Sequence, residues 1–359
     1  MTAANHGHDV AIIGAGPIGL ELAVVLKHAG VDYVQLDAGQ IGQTITWFPR
    51  QLRFFSSPER IAIAGVPLLT ADQSKATRED YLAYLCGVAT QFDLRVRTYE
   101  QVTHIERTGA NGGFTLRTNR LGEQHTHRAE RLVLAIGDLH RPHNLNIDGE
   151  DLPNVSHYFH EPHRYFRQQL LIVGGRNSAA EAAIRCWRAG AQVSLSYRRT
   201  EFDEKAIKYW ILPELRSLIK AGGIKFYPGT TPTRITPRFV SLAPSHTKAQ
   251  DTGPRDIEVN ADFVLLLTGY EMDPALFEMA GVELSGENHD PRLDPQTMQT
   301  NVPGLFVAGT AVAGTQVRFN LFIENCHPHV SRIAKAITGH GPPPELVNQS
   351  AQRYVLPES

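Results

Sequence analysis

Three glycines near the N-terminus have the spacing of a turn that binds phosphate groups. Gly14, Gly16 and Gly19 form the pattern G-x-G-x-x-G between an apolar run and a helical stretch that begins at Pro17. In such a turn the first glycine permits a tight bend, the second lets a diphosphate approach the backbone, and the third lets the helix pack closely on the sheet. Asp37 ends the next apolar run, about 20 residues further on, where a carboxylate can accept both ribose hydroxyls. This spacing predicts a dinucleotide-binding site.

The same pattern occurs a second time in the chain. Residues 9–37 and 169–199 align without a gap, with Gly174 opposite Gly14 and Gly190 opposite Gly30. Each segment has a short apolar run, a glycine turn, a helical stretch, a glycine stop and a second run rich in β-forming residues. The repeat therefore predicts two strand–helix–strand units, each the start of a dinucleotide-binding domain.

The second copy differs from the first in ways that indicate a different dinucleotide. Arg176 replaces the middle glycine, and Ala179 is an accepted substitute for the packing glycine. The second strand ends in Arg198 and Arg199 instead of an acid. An arginine pair can clamp the 2′-phosphate of NADPH, which a carboxylate repels, and the alternative is a merely solvated strand end. The predicted NADPH-binding residues are Gly174, Gly175, Arg176, Asn177, Ser178, Ala179, Arg198, Arg199 and Gly269.

The first copy fits FAD because a later segment completes it. Residues 303–310 form an apolar run that leads into Gly309 and Thr310. Many flavoproteins with two dinucleotide sites carry such a segment, ending in Gly-Asp, beside the ribityl chain and phosphate of the flavin. Here Thr310 leaves a hydroxyl without the charge. The predicted FAD-binding residues are Gly14, Gly16, Pro17, Gly19, Asp37, Gln43, Val102, Gly137, Gly309 and Thr310.

Together these segments predict an α/β fold with two Rossmann-like dinucleotide-binding domains, the NADPH domain being inserted into the FAD domain. Residues 1–160 and 272–359 would form the discontinuous FAD-binding domain, and residues 161–271 the NADPH-binding domain.

Local patterns predict three further elements. Residues 94–136 alternate apolar and polar side chains around an Asn-Gly-Gly turn, which indicates an antiparallel meander. Thr77 and Asp80 have the spacing of a capping box at the start of a helix. An amphipathic helix is expected near residues 203–221, with Asp203 as its cap.

Composition excludes several classes of protein. The chain has 359 residues, of which 35 are basic and 37 acidic, so neither a nucleic-acid tail nor a polybasic membrane patch is indicated. No apolar stretch approaches the roughly 20 residues that cross a bilayer, and the N-terminus lacks the pattern of a secretion signal. We therefore expect a cytoplasmic globular protein with neither a membrane nor a nucleic acid as partner.

Cysteine and histidine spacing argues against a metal or a dithiol. Cys86, Cys186 and Cys326 are scattered and form no C-x-x-C pair, so a disulfide framework, a zinc ribbon and an adjacent-cysteine dithiol are not expected. A run of histidines at residues 157–163 has no paired acid at ligand spacing. No metal site is predicted.

Several strings in the chain carry a family resemblance. The order of an FAD fingerprint followed by an inserted NADPH domain resembles thioredoxin-reductase-like flavoproteins. FPRQLRFFSSPERIAIAGVP, VGGRNSAAEAA, IKYWILPEL, LLLTGY and the segment NVPGLFVAG to FIEN are similar to the bacillithiol-disulfide reductase family. The resemblance implies bound FAD and NADPH, a low-molecular-weight thiol disulfide as acceptor, and a homo-oligomer.

The chain departs from that family at two positions. Ile18 stands where the family usually has a cysteine inside the first glycine loop, and isoleucine cannot attack a disulfide. Cys326 follows FIEN where a glycine is more typical, and it is either a thiol activated at a helix start or an inert packing residue. Glu324, His327 and His329 are candidates for proton delivery.

The departures leave the electron acceptor open. A small redox protein that takes one electron at a time, as in ferredoxin– or flavodoxin–NADP reductases, needs no active cysteine, and Tyr354 could shield the flavin in that case. A flavin monooxygenase also pairs FAD with NADPH. A redox-sensing binding protein with negligible turnover is the alternative outside the enzymes.

Overall fold

The computed structural model describes residues 7–108, 112–245, 256–316 and 320–347. Within these ranges the chain forms two compact units. The first comprises residues 7–46, 51–141 and 270–347, and the second comprises residues 47–50 and 142–269.

The strands and helices are numbered in chain order. The strands are β1 (His8–Ile13), β2 (Tyr33–Leu36), β3 (Val96–Arg97), β4 (Glu100–Thr108), β5 (Gly113–Arg120), β6 (Glu123–Leu134), β7 (Arg141–Pro142), β8 (Val155–Ser156), β9 (Gln169–Val173), β10 (Gln192–Tyr197), β11 (Ile224–Pro228), β12 (Thr230–Ile235), β13 (Phe239–Pro244), β14 (Ile257–Asn260), β15 (Phe263–Leu266), β16 (Tyr270–Glu271), β17 (Leu284–Ser285), β18 (Asp290–Pro291) and β19 (Leu305–Val307). The α-helices are α1 (Pro17–His28), α2 (Pro58–Ile61), α3 (Arg78–Gln91), α4 (Asn177–Arg188), α5 (Leu212–Lys220), α6 (Ala275–Met279) and α7 (Ile323–Thr338).

The first unit is built on a sheet with the order β3-β2-β1-β6-β5-β4, and β19 also pairs with β6. Strands β1, β2, β3, β6 and β19 run parallel, whereas β4, β5 and β6 form the antiparallel meander that the sequence predicts. A core that includes Leu36, Phe114, Leu132 and Leu305 fixes this register. Because the parallel strands end at one edge, the turns that follow β1, β2, β6 and β19 lie along that edge.

The second unit has a parallel sheet with the order β11-β10-β9-β15-β8 and a separate antiparallel sheet, β12-β13-β14. Small side chains of α4, including Ala180 and Ala183, pack against Leu195 and Leu265 of the parallel sheet. The turns after β9, β10 and β15 therefore share one edge of this unit.

The division of the chain differs from the boundary at residues 160/161 that the sequence suggests. Residues 142–160 pack within the second unit, because β8 extends the parallel sheet beside β15. The segment 47–50 also belongs there, since the Arg185 guanidinium donates to the Arg50 carbonyl at 2.7 Å.

One predicted helix is confirmed in detail, and another is confirmed only over its C-terminal half. Thr77 accepts a hydrogen bond from the Asp80 backbone at the start of α3, and the Asp80 carboxylate accepts one from the Thr77 N–H. The helix expected from residue 203 begins only at Leu212, and Asp203 caps a short 3₁₀ turn instead. The reason is Pro213. Proline fits the first turn of a helix, but inside a helix its ring would clash with the backbone of the preceding turn.

Candidate functional site

The glycine turn of the first unit leaves space for a ligand at one position only. Gly14 has a φ of +112°, and a Cβ there would lie 2.3 Å from the Ala135 carbonyl oxygen. A Cβ on Gly19 would lie 2.3 Å from the Gly14 carbonyl oxygen, whereas a Cβ on Gly16 would meet no protein atom within 4 Å. Packing therefore requires the outer glycines, and the middle one borders an open cradle at the N-terminus of α1. The cradle fits the diphosphate of a dinucleotide.

Asp37 ties the next strand end to this turn. Its carboxylate accepts the Ala15 N–H at 2.7 Å and the Gly39 N–H at 2.8 Å. Burial raises the pKa of Asp37, and these two N–H groups oppose that shift. The Gly42 N–H donates to the Ala15 carbonyl at 3.0 Å, so the following loop, which includes Gln43, closes on the turn. Each carboxylate oxygen keeps a lone pair for a ribose hydroxyl.

The buried carboxylate of Glu100 lies next to the loop that begins at Asp37. The Glu100 N–H donates to the Asp37 carbonyl at 2.8 Å. The Glu100 side chain accepts hydrogen bonds from Thr118, His127 and Arg97, each at 2.6 Å. Burial alone raises the pKa of Glu100, but these three donors outweigh it and lower the pKa to about 2. The cluster thus fixes the start of β4, whose first N–H group is hydrogen-bonded to the Asp37 carbonyl.

Replacing Glu100 by Gln is expected to destabilise the first unit by about 2 kcal/mol at neutral pH, because charge-assisted hydrogen bonds to a buried group are lost. The depressed pKa means that the stabilisation is present above the unfolded value of 4.5 and is lost as the pH falls toward about 2. Urea unfolding at pH 7 and at pH 3 measures this, with the exposed Glu106→Gln on the same strand as control. Equal stabilities of wild type and Glu100→Gln at pH 7 would contradict the role.

The turns after β6 and β19 adjoin the glycine turn. Gly309 and Gly137 both have a φ of +76°. A Cβ on Gly309 would lie 3.6 Å from the Ile18 Cβ, and a Cβ on Gly137 would lie 3.9 Å from the Thr310 Oγ1. The structure therefore brings Gly137, Gly309 and Thr310 together with the first glycine turn. The Val102 side chain is buried in the core of the first unit, so an FAD contact at this position would have to come from its backbone.

Asp138 is a residue of this edge that sequence reasoning missed. It follows Gly137 directly and is 6% exposed. The Thr310 hydroxyl donates to its carboxylate, and the Gln316 amide donates to Oδ2 at 2.9 Å. Burial raises the pKa of Asp138 against these donors. Its position in the sequence, directly after an apolar strand and a glycine, is the signal that could have identified it as a candidate site residue.

The surroundings of Cys326 bear on its two interpretations. The residue is fully buried at the start of α7. Burial raises the pKa of the thiol well above its usual range, and the negative charges of Asp138 and Glu21 raise it further. A reactive cysteine needs a thiolate at neutral pH. Burial and the raised thiol pKa both favour the interpretation of Cys326 as a packing residue.

The three proton-delivery candidates on α7 differ sharply. His327 Nδ1 lies 2.7 Å from the Glu21 carboxylate and Nε2 lies 2.9 Å from the Arg60 carbonyl. Burial lowers the pKa of His327, but these acceptors outweigh it and the net shift is upward. Burial and Arg332 lower the pKa of His329 to about 4. Glu324 lies 3.7 Å from the Arg60 guanidinium. The Glu21–His327 pair, which joins α1 to α7, has no sequence signal.

In the second unit the glycine turn is packed tightly. Gly174 has a φ of +147°, and a Cβ there would lie 2.5 Å from the Leu267 carbonyl oxygen. A Cβ on Gly175 would lie 2.1 Å from the Tyr197 ring. Ala179 is buried against the turn, and Arg176 is the N-cap residue of α4. The turn keeps the predicted geometry although its middle glycine is an arginine.

The predicted arginine pair lies next to this turn. The Gly174 N–H donates to the Ser196 carbonyl at 3.0 Å, so the end of β10 adjoins the turn. Arg198 and Arg199 follow and are exposed, with the Arg199 guanidinium 3.6 Å from Asp203. Guanidinium groups of this kind bind anions such as phosphate. Ser178 is exposed in the first turn of α4, and Gly269, with a φ of +107°, follows β15 at the same edge.

Asn177 has a partner within the protein. Its side-chain oxygen accepts the Lys208 N–H at 2.6 Å, which holds the segment before α5 against the start of α4. The described residues contain no group of three or more His, Cys, Asp or Glu side chains that could hold a metal ion. No helix in the described part of the chain has the length and apolar character that a membrane span needs.

Comparisons with known proteins agree with this architecture. Residues 11–309 match the family model described as pyridine nucleotide-disulphide oxidoreductase. The bacilliredoxin reductase Bdr of Bacillus subtilis is 34% identical over 326 residues, which cover 91% of this chain and 96% of that protein. A ferredoxin–NADP reductase of Ignicoccus hospitalis is 26% identical, over 84% of this chain and 89% of that one. The structure of bacillithiol disulfide reductase Bdr from Bacillus cereus superposes with a TM-score of 0.85 at 32% identity, covering 93% of this chain and 99% of that one.

These findings confirm the expected fold class and the expected family resemblance. They also confirm an oxidoreductase of the flavoprotein class that uses FAD and NADPH. The chain belongs to the pyridine nucleotide-disulphide oxidoreductase family.

Proposed function

We propose that the protein is an NADPH-dependent flavoprotein reductase whose acceptor is a low-molecular-weight thiol disulfide. The observation that carries the proposal is the pair of glycine turns, one followed by Asp37 and the other by Arg198 and Arg199, each at the carboxyl edge of its own parallel sheet. The acceptor class is supported by relatives named as bacilliredoxin reductase and bacillithiol disulfide reductase. The proposal includes a homo-oligomer that acts in the cytoplasm.

The two units would bind different cofactors. In the first, the cradle beside Gly16 would hold the diphosphate of FAD and Asp37 would hold the adenosine ribose. In the second, Ser178 at the start of α4 and the exposed Arg198 and Arg199 would hold NADPH. The flavin, when bound, supplies the redox chemistry that transfers two electrons from the nicotinamide to the acceptor.

Among the described residues of this site, no side chain offers a reactive thiol for a mixed disulfide with the substrate. Ile18, in the first glycine turn, is buried and carries no sulfur, and Cys326 is buried with a raised thiol pKa. The protein would therefore bind and orient the disulfide, whose S–S bond breaks as each sulfur takes one electron and one proton. Both electrons and one proton come from the hydride of NADPH, and the second proton comes from solvent. In this proposal NADPH is the reductant, and both product thiols leave without having been bonded to the protein.

Cys326→Ser is accordingly expected to keep turnover within about twofold of wild type, because a buried thiol of raised pKa is not a nucleophile at neutral pH. Steady-state NADPH oxidation with a disulfide acceptor measures this. Cys86→Ser, on the exposed face of α3, is the matched control. A loss of more than tenfold in Cys326→Ser alone would show that the thiol takes part in the reaction.

The acceptor is tested by a panel under identical conditions: bacillithiol disulfide, glutathione disulfide, ferredoxin and molecular oxygen. We expect the low-molecular-weight disulfides to support the fastest NADPH oxidation. Fast turnover with ferredoxin alone would favour the second candidate function, which the 26% identical ferredoxin–NADP reductase supports. Tyr354, the residue predicted to shield the flavin in that case, lies outside the described residues.

A further inference from the structure

The order of the strands indicates which half of FAD meets which turn. In the first unit β1, which leads into the diphosphate cradle, lies between β2 and β6. Asp37 follows β2, so the adenosine half extends to that side of the cradle. The other half of the dinucleotide must then extend to the opposite side, where β6 and β19 end. This side carries the turns of Gly137 and Gly309.

A buried carboxylate occupies that second side. Asp138 is 6% exposed, and its described donors are neutral: the Thr310 hydroxyl, the Gln316 amide and its own backbone N–H. Gln316 is itself fixed, since its side-chain oxygen accepts the Asn320 and Leu321 N–H groups at 3.0 and 2.9 Å. Of the titratable bases nearby, His140 lowers the pKa of Asp138, but less than any of these donors does. A carboxylate that is taken out of water and hydrogen-bonded only by neutral donors is costly to keep, and such groups cluster at functional sites.

We infer that Asp138 is a cofactor-binding residue that supplies the carboxylate of the flavin half of the FAD site. Thr310 donates to it from the neighbouring turn and so orients it, while the carboxylate keeps acceptor capacity that the ribityl hydroxyls of FAD can use. The acid absent from position 310 is thus replaced by one at the end of the adjacent parallel strand. The inference rests on the proposed function, in which the first unit binds FAD.

The inference is tested on apo-protein reconstituted with FAD, by flavin fluorescence for affinity and by anaerobic titration for the midpoint potential. Asp138→Asn preserves the shape of the side chain and removes its charge. It is expected to lower FAD affinity by about tenfold or more, as for a lost charge-assisted hydrogen bond, and to raise the midpoint potential, because a negative charge disfavours added electrons. Glu130→Gln, exposed on β6, is the matched control and should change neither.

An exchange of the two residues provides a second test. Asp138→Thr combined with Thr310→Asp moves the carboxylate to the neighbouring turn and is expected to bind FAD more tightly than Asp138→Thr alone. The inference is overturned if Asp138→Asn keeps wild-type affinity and potential, if it loses only thermal stability, or if the exchange brings no gain. Failure of the wild-type protein to bind FAD would instead overturn the proposed function.

Discussion

Gly16→Val is expected to give a folded protein that has lost FAD. The backbone at Gly16 has φ −75° and ψ −179°, which any residue adopts, and an added Cβ would meet no protein atom within 4 Å. The new side chain would instead occupy the space beside the N-terminus of α1 that a diphosphate requires. We expect FAD affinity to fall by at least about 100-fold, measured by flavin fluorescence, while circular dichroism and the melting temperature of the apo-protein stay unchanged.

Gly19→Ala is the informative partner of this variant. Its methyl group would lie 2.3 Å from the Gly14 carbonyl oxygen, so α1 must move away from the sheet. We expect a loss of about 1–3 kcal/mol in unfolding free energy of the apo-protein, as for other overpacked sites. The Gly16 variant thus tests the space for the ligand, and the Gly19 variant tests the packing of α1 on the sheet. Wild-type FAD affinity in Gly16→Val would show that the cradle is not the diphosphate site.

Replacing Arg198 and Arg199 together by serine is expected to remove the preference for NADPH over NADH. Both side chains are exposed at the end of β10, next to the glycine turn of the second unit. Charge-assisted contacts to the 2′-phosphate exist only with NADPH, so its KM should rise by about 10- to 100-fold while the KM for NADH hardly changes. The ratio of kcat/KM for the two coenzymes is the measurement.

A surface arginine of the same unit provides the control for general electrostatics. Arg238 is exposed in the turn between β12 and β13 and belongs to the separate antiparallel sheet. Arg238→Ser should leave the coenzyme ratio unchanged, because long-range attraction between exposed charges is screened by salt. If the double replacement of Arg198 and Arg199 also leaves the ratio unchanged, the arginine pair is only a solvated strand end.

Sequence reasoning succeeded where the determinants are local. The spacing from Gly14 to Gly19 dictates a turn between a strand and a helix whatever surrounds it, and the structure has that turn. The capping box of Thr77 is likewise contained within four residues. The meander could be predicted because apolar and polar side chains alternate along each strand, which shows which side chains are buried.

Features that depend on contacts between distant parts of the chain could not be predicted from the sequence. Whether Cys326 is reactive depends on its burial and on charges from Asp138 and Glu21, which lie far away in sequence. The Glu21–His327 pair joins helices at opposite ends of the chain. Asp138 was visible as a residue, but only the packing of β19 beside β6 shows that it receives the Thr310 hydroxyl. Pro213 was visible too, and its position could have corrected the expected helix start.

The most direct test of the proposed flavin chemistry is an anaerobic titration of the purified protein, monitored by the visible absorption of its bound flavin. We predict a yellow protein that one equivalent of NADPH bleaches much faster than NADH does. Subsequent addition of a low-molecular-weight disulfide should restore the colour and release two thiols per flavin, in Cys326→Ser as in wild type. A colourless protein, equal bleaching by both coenzymes, or a reduced flavin that no disulfide reoxidises would contradict it.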